Sequence, residues 1–184
     1  MVLVFIIVSP CASSEDKDFI AIIDQAPLIK QEKLFQQIQQ IENPDERAVQ
    51  WLIFFKRIID FYPNFTDFFL EKVNDQWVDD YPNKKAVLLM NKSELDTQNG
   101  DYQKAKKKAF QAIDILTANS QQTIHSQQLL CLANNLIARY SKYTKEEEDG
   151  LSYCYRALEL AENTDFTFGK VLVYNQLGLS LIHI

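Results

Sequence analysis

The chain has 184 residues, a net charge of −6, 47% hydrophobic residues and 24% charged residues, which is the size and composition of one globular domain. The acidic balance argues against nucleic acid as a partner, because phosphate binding depends on clustered Lys and Arg. The four glycines are too scattered for a nucleotide-binding loop, and the two histidines are too few for a histidine metal site or a serine–histidine–aspartate triad.

The first segment, 1–14, resembles a secretory signal peptide. An apolar run is followed by small residues and then by charged residues, which is the order found in export signals, although the usual positively charged start is missing. The run is too short to span a bilayer. The residues before Cys11 resemble a bacterial lipobox apart from Pro10, so lipidation of Cys11 is a second interpretation, and a buried first strand or helix is a third. We expect export to the bacterial periplasm or cell envelope, with the cytoplasm as the alternative.

Residues 15–82 are predicted to form divergent helical hairpins that cap the N-terminal side. Proline lacks the N–H that a helix interior requires, so the prolines of this segment mark helix boundaries. They are Pro27, Pro44, Pro63 and Pro82. We predict helices over 28–42, 44–62 and 65–80. Aromatic residues are dense between Trp51 and Trp77; we interpret them mainly as core, with a hydrophobic binding groove as the alternative.

In residues 83–178 the apolar side chains recur with the period of a helix. No stretch there alternates apolar and polar residues as a strand would. We predict helices over 83–98, 101–117, 122–142, 145–162 and 166–178 or beyond. The fold is therefore expected to be all-α. Paired helices start about every 40 residues, and hairpins at such a period bury one face only by stacking on their neighbours. This predicts antiparallel hairpins stacked as an α-solenoid.

One motif in this region carries a family resemblance. The turn Gly100-Asp101-Tyr102 and the small residues that follow it are similar to the second half of a tetratricopeptide repeat. The small residues are Ala105, Ala109 and Ala112, and the spacing recurs at Gly150, Cys154, Ala157 and Ala161. The segments 134–140 and 174–178 resemble the first helix of the tetratricopeptide repeat. The chain departs from the family pattern at Ile137, where a small residue is usual, and in its longer period.

The resemblance implies a binding function. In tetratricopeptide repeats, the first helices of successive hairpins line a concave surface, and their solvent-facing residues hold a peptide or protein segment. By the motif register, Asn134 and Asn175 are equivalent positions, and Glu94 lies on the corresponding face of the earlier unit. An asparagine amide can both donate to and accept from a peptide backbone. We therefore predict a protein- or peptide-binding scaffold that is not an enzyme and needs no cofactor or metal.

The last six residues, 179–184, resemble the in-frame translation of a transposon-derived adapter used in sequencing libraries. We expect natural sequence to stop near Gly178; a genuine helix end is the alternative. With an export signal, the arrangement is similar to the N-terminal arrays of exported bacterial signalling proteins. The alternative function is therefore the extracytoplasmic sensor portion of a regulator whose kinase or DNA-binding output follows. Membrane association would then come only from a leader or a downstream segment.

The remaining reactive side chains are predicted to be structural. Cys131 and Cys154 are interpreted as small buried residues, with a disulfide in an oxidising compartment as the alternative. His125 is expected to be a solvated helix residue. The basic cluster Lys104, Lys106, Lys107 and Lys108 is expected to face solvent, with contact to an acidic partner as the alternative. No pair of carboxylates stands out as a general acid and base.

Overall fold

The computed structural model describes residues 28–76, 81–119, 123–144 and 147–182, and within these ranges the chain is all-α, as predicted. The described helices are α1 (Leu28–Gln39), α2 (Pro44–Phe61), α3 (Thr66–Gln76), α4 (Lys84–Gln98), α5 (Tyr102–Ala118), α6 (Ile124–Thr144), α7 (Glu147–Asn163) and α8 (Thr167–Ile182). A short 3₁₀ turn over Pro63–Phe65 separates α2 from α3. These bounds agree with the predicted ones to within a few residues. The predicted signal peptide with Cys11 lies outside the described residues.

The chain divides into two units after Gln40. The first unit contributes α1, a helix of 12 residues, and the second contains α2 to α8. Within the second unit, α5 packs against both α4 and α6, and α7 packs against both α6 and α8. Helix α2 packs against α4 and α6, and α6 also packs against α8. Helix α6 is therefore central, and every residue from 129 to 138 is buried.

The start of α2 is capped by the side chain of Asn43. The Asn43 side-chain oxygen accepts hydrogen bonds from the backbone N–H of Asp45 at 3.0 Å and of Glu46 at 3.1 Å. Pro44 occupies the first turn, where no N–H is needed. The two carboxylates also lie near the positive end of the helix dipole. Local sequence alone is therefore enough to fix where this helix begins.

The turns that end α4 and α7 share one backbone geometry. At the end of α4, Gly100 has a φ of +79°, and the next N–H, from Asp101, donates to the Asp96 carbonyl at 2.8 Å. At the end of α7, Asp165 has a φ of +48°, and the Phe166 N–H donates to the Ala161 carbonyl at 2.8 Å. Both are Schellman caps, which favour glycine. The first cap can be predicted from the sequence, because a glycine stands at its left-handed position. The second cannot, because an aspartate stands there.

The small residues singled out by the repeat spacing are buried, as expected for close helix packing. Ala105, Ala109 and Ala112 of α5 and Ala157 and Ala161 of α7 are all fully buried. A small side chain lets two helix backbones approach each other. The spacing therefore identifies the contact faces of α5 and α7 correctly.

The aromatic residues of α2 and α3 divide between core and surface. Trp51, Phe54, Phe55 and Phe69 are buried, and the rings of Phe54 and Phe69 meet edge to face at 5.1 Å. Phe61 is exposed. The interpretation as core is confirmed for the four buried rings. Trp77, the end of the predicted aromatic stretch, lies outside the described residues.

Gly169 occupies the tightest described glycine position in the second unit. A Cβ atom there would lie 2.6 Å from Phe166 Cδ1 and 2.8 Å from Cys131 Sγ. We expect Gly169→Ala to lower the free energy of unfolding by about 1–2 kcal/mol, because overpacking outweighs the better helix propensity of alanine. Urea denaturation measures this change.

Gly178 is the matched control, since it lies in the same helix and a Cβ there meets nothing within 4 Å. Gly178→Ala should raise the free energy of unfolding by about 0.5–1 kcal/mol. Equal effects of the two substitutions would contradict the packing at Gly169.

Cys131 and Cys154 are buried free thiols, which agrees with their interpretation as small core residues. Burial raises the pKa of Cys131 to about 12 and also raises the pKa of Cys154. Because the thiolate is the nucleophile, iodoacetamide at about pH 8 should modify Cys131 at least about a hundredfold more slowly in the folded chain than in urea. Peptide mass spectrometry follows the rate, and equal rates in both conditions would contradict the buried environment.

Candidate functional site

Helices α2, α4, α6 and α8 of the second unit meet around a cavity of about 40 Å³. Half of its lining residues are leucine or phenylalanine, and three of the helices contribute polar side chains. The polar residues are Lys56 of α2, Asn91 and Glu94 of α4, and Asn135 and Arg139 of α6. The apolar lining includes Leu52 and Phe55 of α2, so this helix closes one side of the cavity. Polar groups that converge in an apolar wall are typical of binding sites, and the volume here fits only a small group, well below the roughly 300–1,000 Å³ of sites for drug-sized ligands.

A buried ion pair forms one edge of the cavity. Arg139 Nη2 lies 2.5 Å from Glu94 Oε2, and the two side chains are 17% and 10% exposed. Burial alone would lower the pKa of Arg139, but the charge of Glu94 and its hydrogen bond outweigh burial and raise that pKa. Arg139 is therefore charged at any ordinary pH. The pair places two charges of opposite sign beside the cavity, and their net charge is zero.

A hydroxyl network continues from this ion pair into the core. Arg139 Nη2 also donates to the Tyr140 hydroxyl at 3.0 Å. That hydroxyl lies 3.1 Å from Ser93 Oγ, which donates to the Ala105 carbonyl at 2.8 Å. Burial, aided by the nearby Glu94 carboxylate, raises the pKa of Tyr140 to about 12. The network ties α4, α5 and α6 together behind the cavity.

Two amide side chains at the cavity have unmet hydrogen-bonding capacity. Asn91 is fully buried, and neither its oxygen nor its nitrogen has a hydrogen-bond partner in the described part of the chain. Asn135 is 4% exposed, and its nitrogen also lacks a partner there, as does Arg139 Nε. Buried polar atoms are nearly always paired in native proteins. These side chains are therefore the strongest indication of a ligand in the described structure.

The structure places the three predicted site residues in different environments. Asn175 of α8 is exposed, as the motif register predicts. Asn134 is buried, and its nitrogen donates to the Leu130 carbonyl of its own helix at 2.7 Å. Glu94 is buried in the ion pair with Arg139. Sequence reasoning missed Asn91, Asn135 and Arg139, although an asparagine within an apolar helix stripe is a signal for Asn91 and Asn135.

A second polar cluster joins the first turn of α2 to two loops through one carboxylate. Asp45 Oδ1 accepts hydrogen bonds from the Tyr81 hydroxyl at 2.6 Å and from Asn83 Nδ2 at 2.9 Å. Its Oδ2 accepts one from Thr123 Oγ1 at 3.0 Å. Burial, together with the bond to Asp45, raises the pKa of Tyr81, so its hydroxyl remains a donor. Asp45 thus links the start of α2 to the residues that precede α4 and α6.

Removal of this carboxylate should destabilise the second unit. We expect Asp45→Ala to lower the free energy of unfolding by about 2–3 kcal/mol, because three donors lose their acceptor. Thermal and urea unfolding provide the measurement. The control is Asp60→Ala, which removes a more exposed carboxylate bonded to Lys56 and should change stability by less than about 0.5 kcal/mol. A similar small change for both variants would contradict the linking role of Asp45.

The expected basic surface is only partly present. Lys104 and Lys107 are exposed, but Lys106 is buried and Lys108 forms an ion pair with Asp96 at 2.5 Å. The prediction that all four lysines face solvent is therefore wrong for Lys106. Consecutive residues are about 100° apart around a helix, so a run of three lysines cannot share one face. The Lys106 ammonium nitrogen lies 5.7 Å from the centre of the Phe110 ring, and long basic side chains often bury their aliphatic stems in this way.

The described residues offer little for other chemistries. His125 is half-buried, with its Nδ1 3.1 Å from Gln128 Oε1. Within the part of the chain that the structure describes, no group of three His, Cys, Asp or Glu side chains is placed to hold a metal ion. Among the same residues, no helix combines the length and the apolar character needed to cross a bilayer.

Comparisons with protein-family models, with curated proteins and with solved structures find no match for this chain.

Proposed function

We propose that the chain is a protein- or peptide-binding scaffold without catalytic activity, and that its ligand lies along α4, α6 and α8. The observation that best supports this function is the cavity at which these three helices meet, with the unpaired amides of Asn91 and Asn135. The cavity admits only a small group, so these amides would meet a polar side-chain tip of the ligand, which an asparagine amide can match both as donor and as acceptor. The ligand is thus recognised by hydrogen bonds on an apolar background.

The helix order supports a repeat architecture for this scaffold. Helices α5 and α7 each pack against the helix before and the helix after them. Stacked hairpins require this neighbour pattern. We propose that α4–α5 and α6–α7 are two successive tetratricopeptide-like hairpins and that α8 is the first helix of a third. Helices α4, α6 and α8 are then the first helices, which bind the ligand in that family.

Within this face, α8 offers the accessible contacts. Helix α2 packs against α4 and α6, and Glu94 of α4 and Asn134 of α6 are buried. On α8, Tyr174 and Asn175 are exposed. A tyrosine ring provides a large contact area at a low cost in side-chain entropy. We propose that Asn175 and Tyr174 contact the ligand directly, while Glu94 and Asn134 hold the first helices in position.

Selection from a random linear peptide library displayed on phage tests this function. Binding of a selected peptide is then measured by fluorescence polarisation. Asn175→Ala should raise its Kd about fivefold to tenfold, and Tyr174→Ala should raise it further, because each removes a direct contact. Gln111→Ala on α5 is the control, since it changes an exposed residue away from the proposed face. Failure to select any peptide, or equal Kd values for all variants, would overturn the proposal.

A further inference from the structure

We propose that the cavity between α2, α4, α6 and α8 is a subsite for a neutral carboxamide group. The group is supplied either by a small free amide or by an asparagine or glutamine side chain of a bound peptide. The peptide-borne case rests on the proposed function, whereas the free amide does not.

The unpaired atoms define which donors and acceptors an occupant needs. Asn91 Oδ1 requires a donor, while the nitrogens of Asn91 and Asn135 and the Nε of Arg139 require acceptors. Asn91 and Asn135 are 0% and 4% exposed, so bulk solvent does not supply these bonds. A buried polar atom without a partner destabilises the folded chain. An occupant that both donates and accepts removes this penalty.

The charges beside the cavity favour a neutral occupant. Glu94 and Arg139 compensate each other, and Lys56 is bonded to Asp60 at 2.5 Å. A carboxylate only accepts hydrogen bonds, so it would leave Asn91 Oδ1 without a donor and would lie near the Glu94 carboxylate. An ammonium group only donates, so it would leave the two amide nitrogens without acceptors. A carboxamide carries both functions and no charge.

The size of the cavity agrees with this group. A volume of about 40 Å³ holds roughly three water-sized atoms, and a carboxamide has one carbon, one oxygen and one nitrogen. The aliphatic side chains of Leu132 and Leu136 also line the cavity. They provide an apolar surface for the carbon chain that carries the amide. The occupant is therefore the tip of an aliphatic amide rather than a larger polar molecule.

Titration with propionamide and propionate, monitored by proton–nitrogen correlation spectra of the full chain, tests the proposal. The two probes share a carbon chain and differ in whether the polar end is an amide or a carboxylate. Propionamide should shift the side-chain NH₂ signals of Asn91 and Asn135 in a saturable manner, and propionate should not. Absence of a saturable shift, or equal shifts with both probes, would overturn the proposal and leave water as the occupant.

A variant locates the binding and keeps the test independent of stability. Asn91→Leu retains the side-chain shape and removes both unpaired atoms, which folded proteins tolerate when the position is apolar. It should weaken propionamide binding at least about tenfold. Gln111→Ala on α5 should leave binding unchanged. If Asn91→Leu does not fold, Asn135→Leu replaces it, and unchanged binding to a folded variant would overturn the proposal.

Blocked tripeptides distinguish the two sources of the amide. Tighter binding of Ala-Gln-Ala than of propionamide, with no binding of Ala-Glu-Ala, supports a peptide-borne amide. Binding of propionamide alone supports a free small amide. Saturable binding of propionamide without any selected peptide would overturn the proposed function and retain the subsite. Binding of a selected peptide, with no response to propionamide or Ala-Gln-Ala, would overturn the subsite and retain the proposed function.

Discussion

Arg139→Met should lower the free energy of unfolding by about 3–5 kcal/mol, because it leaves Glu94 buried without its partner. Methionine retains much of the aliphatic volume of arginine, so the expected loss comes mainly from the uncompensated carboxylate. The same change removes a donor from the Tyr140 hydroxyl. Urea denaturation followed by circular dichroism measures the effect.

A double variant separates lost charge compensation from lost packing. Glu94→Gln combined with Arg139→Met should recover most of the loss, since no buried charge is then left unpaired. Lys56→Met is the matched control, because Lys56 and Asp60 form a more exposed pair within one helix. It should change stability by less than about 0.5 kcal/mol. A loss below about 1 kcal/mol for Arg139→Met would contradict the buried ion pair.

Phe54→Ala should lower the free energy of unfolding by about 3–5 kcal/mol, because it leaves a cavity in the aromatic core between α2 and α3. Phe54 is fully buried, with its ring centroid 5.1 Å from that of Phe69 and 5.6 Å from that of Trp51. Chemical denaturation gives the value for the full chain.

Phe61→Ala provides the control, since it truncates the same side chain in the same helix at a position that is 65% exposed. Its effect should be below about 0.5 kcal/mol. If the two substitutions destabilise the chain equally, the assignment of Phe54 to the core and Phe61 to the surface is wrong.

Local features account for the parts of the fold that were predictable. Proline and its capping neighbours fix the start of α2 at Pro44, because the cap depends only on adjacent residues. The alanines of α5 indicate its buried face, since helical periodicity places Ala105, Ala109 and Ala112 on one side. The boundaries and the buried faces of single helices are thus determined by residues that are close together in the sequence.

The candidate site depends on contacts that no local pattern contains. The motif register selects Asn134, but Asn135 lines the cavity, and consecutive helix residues point about 100° apart. Which of them faces the cavity depends on how α6 packs against α2, α4 and α8, and these contacts are long-range in the sequence. The spacing of hairpins in the sequence pairs α2 with α3, so it gives no reason to expect α2 to pack near Asn91. The same spacing cannot show that the charge of Arg139 compensates the charge of Glu94.

Hydrogen–deuterium exchange of the full chain, with and without a selected peptide, tests most directly whether α4, α6 and α8 form the binding face. We expect the peptide to slow exchange in these helices, most strongly around Asn175, because ligand contact suppresses local opening. Exchange in α5 and α7 should change much less. Protection confined to α5 and α7, or no protection despite saturating peptide, would contradict the assignment of this face.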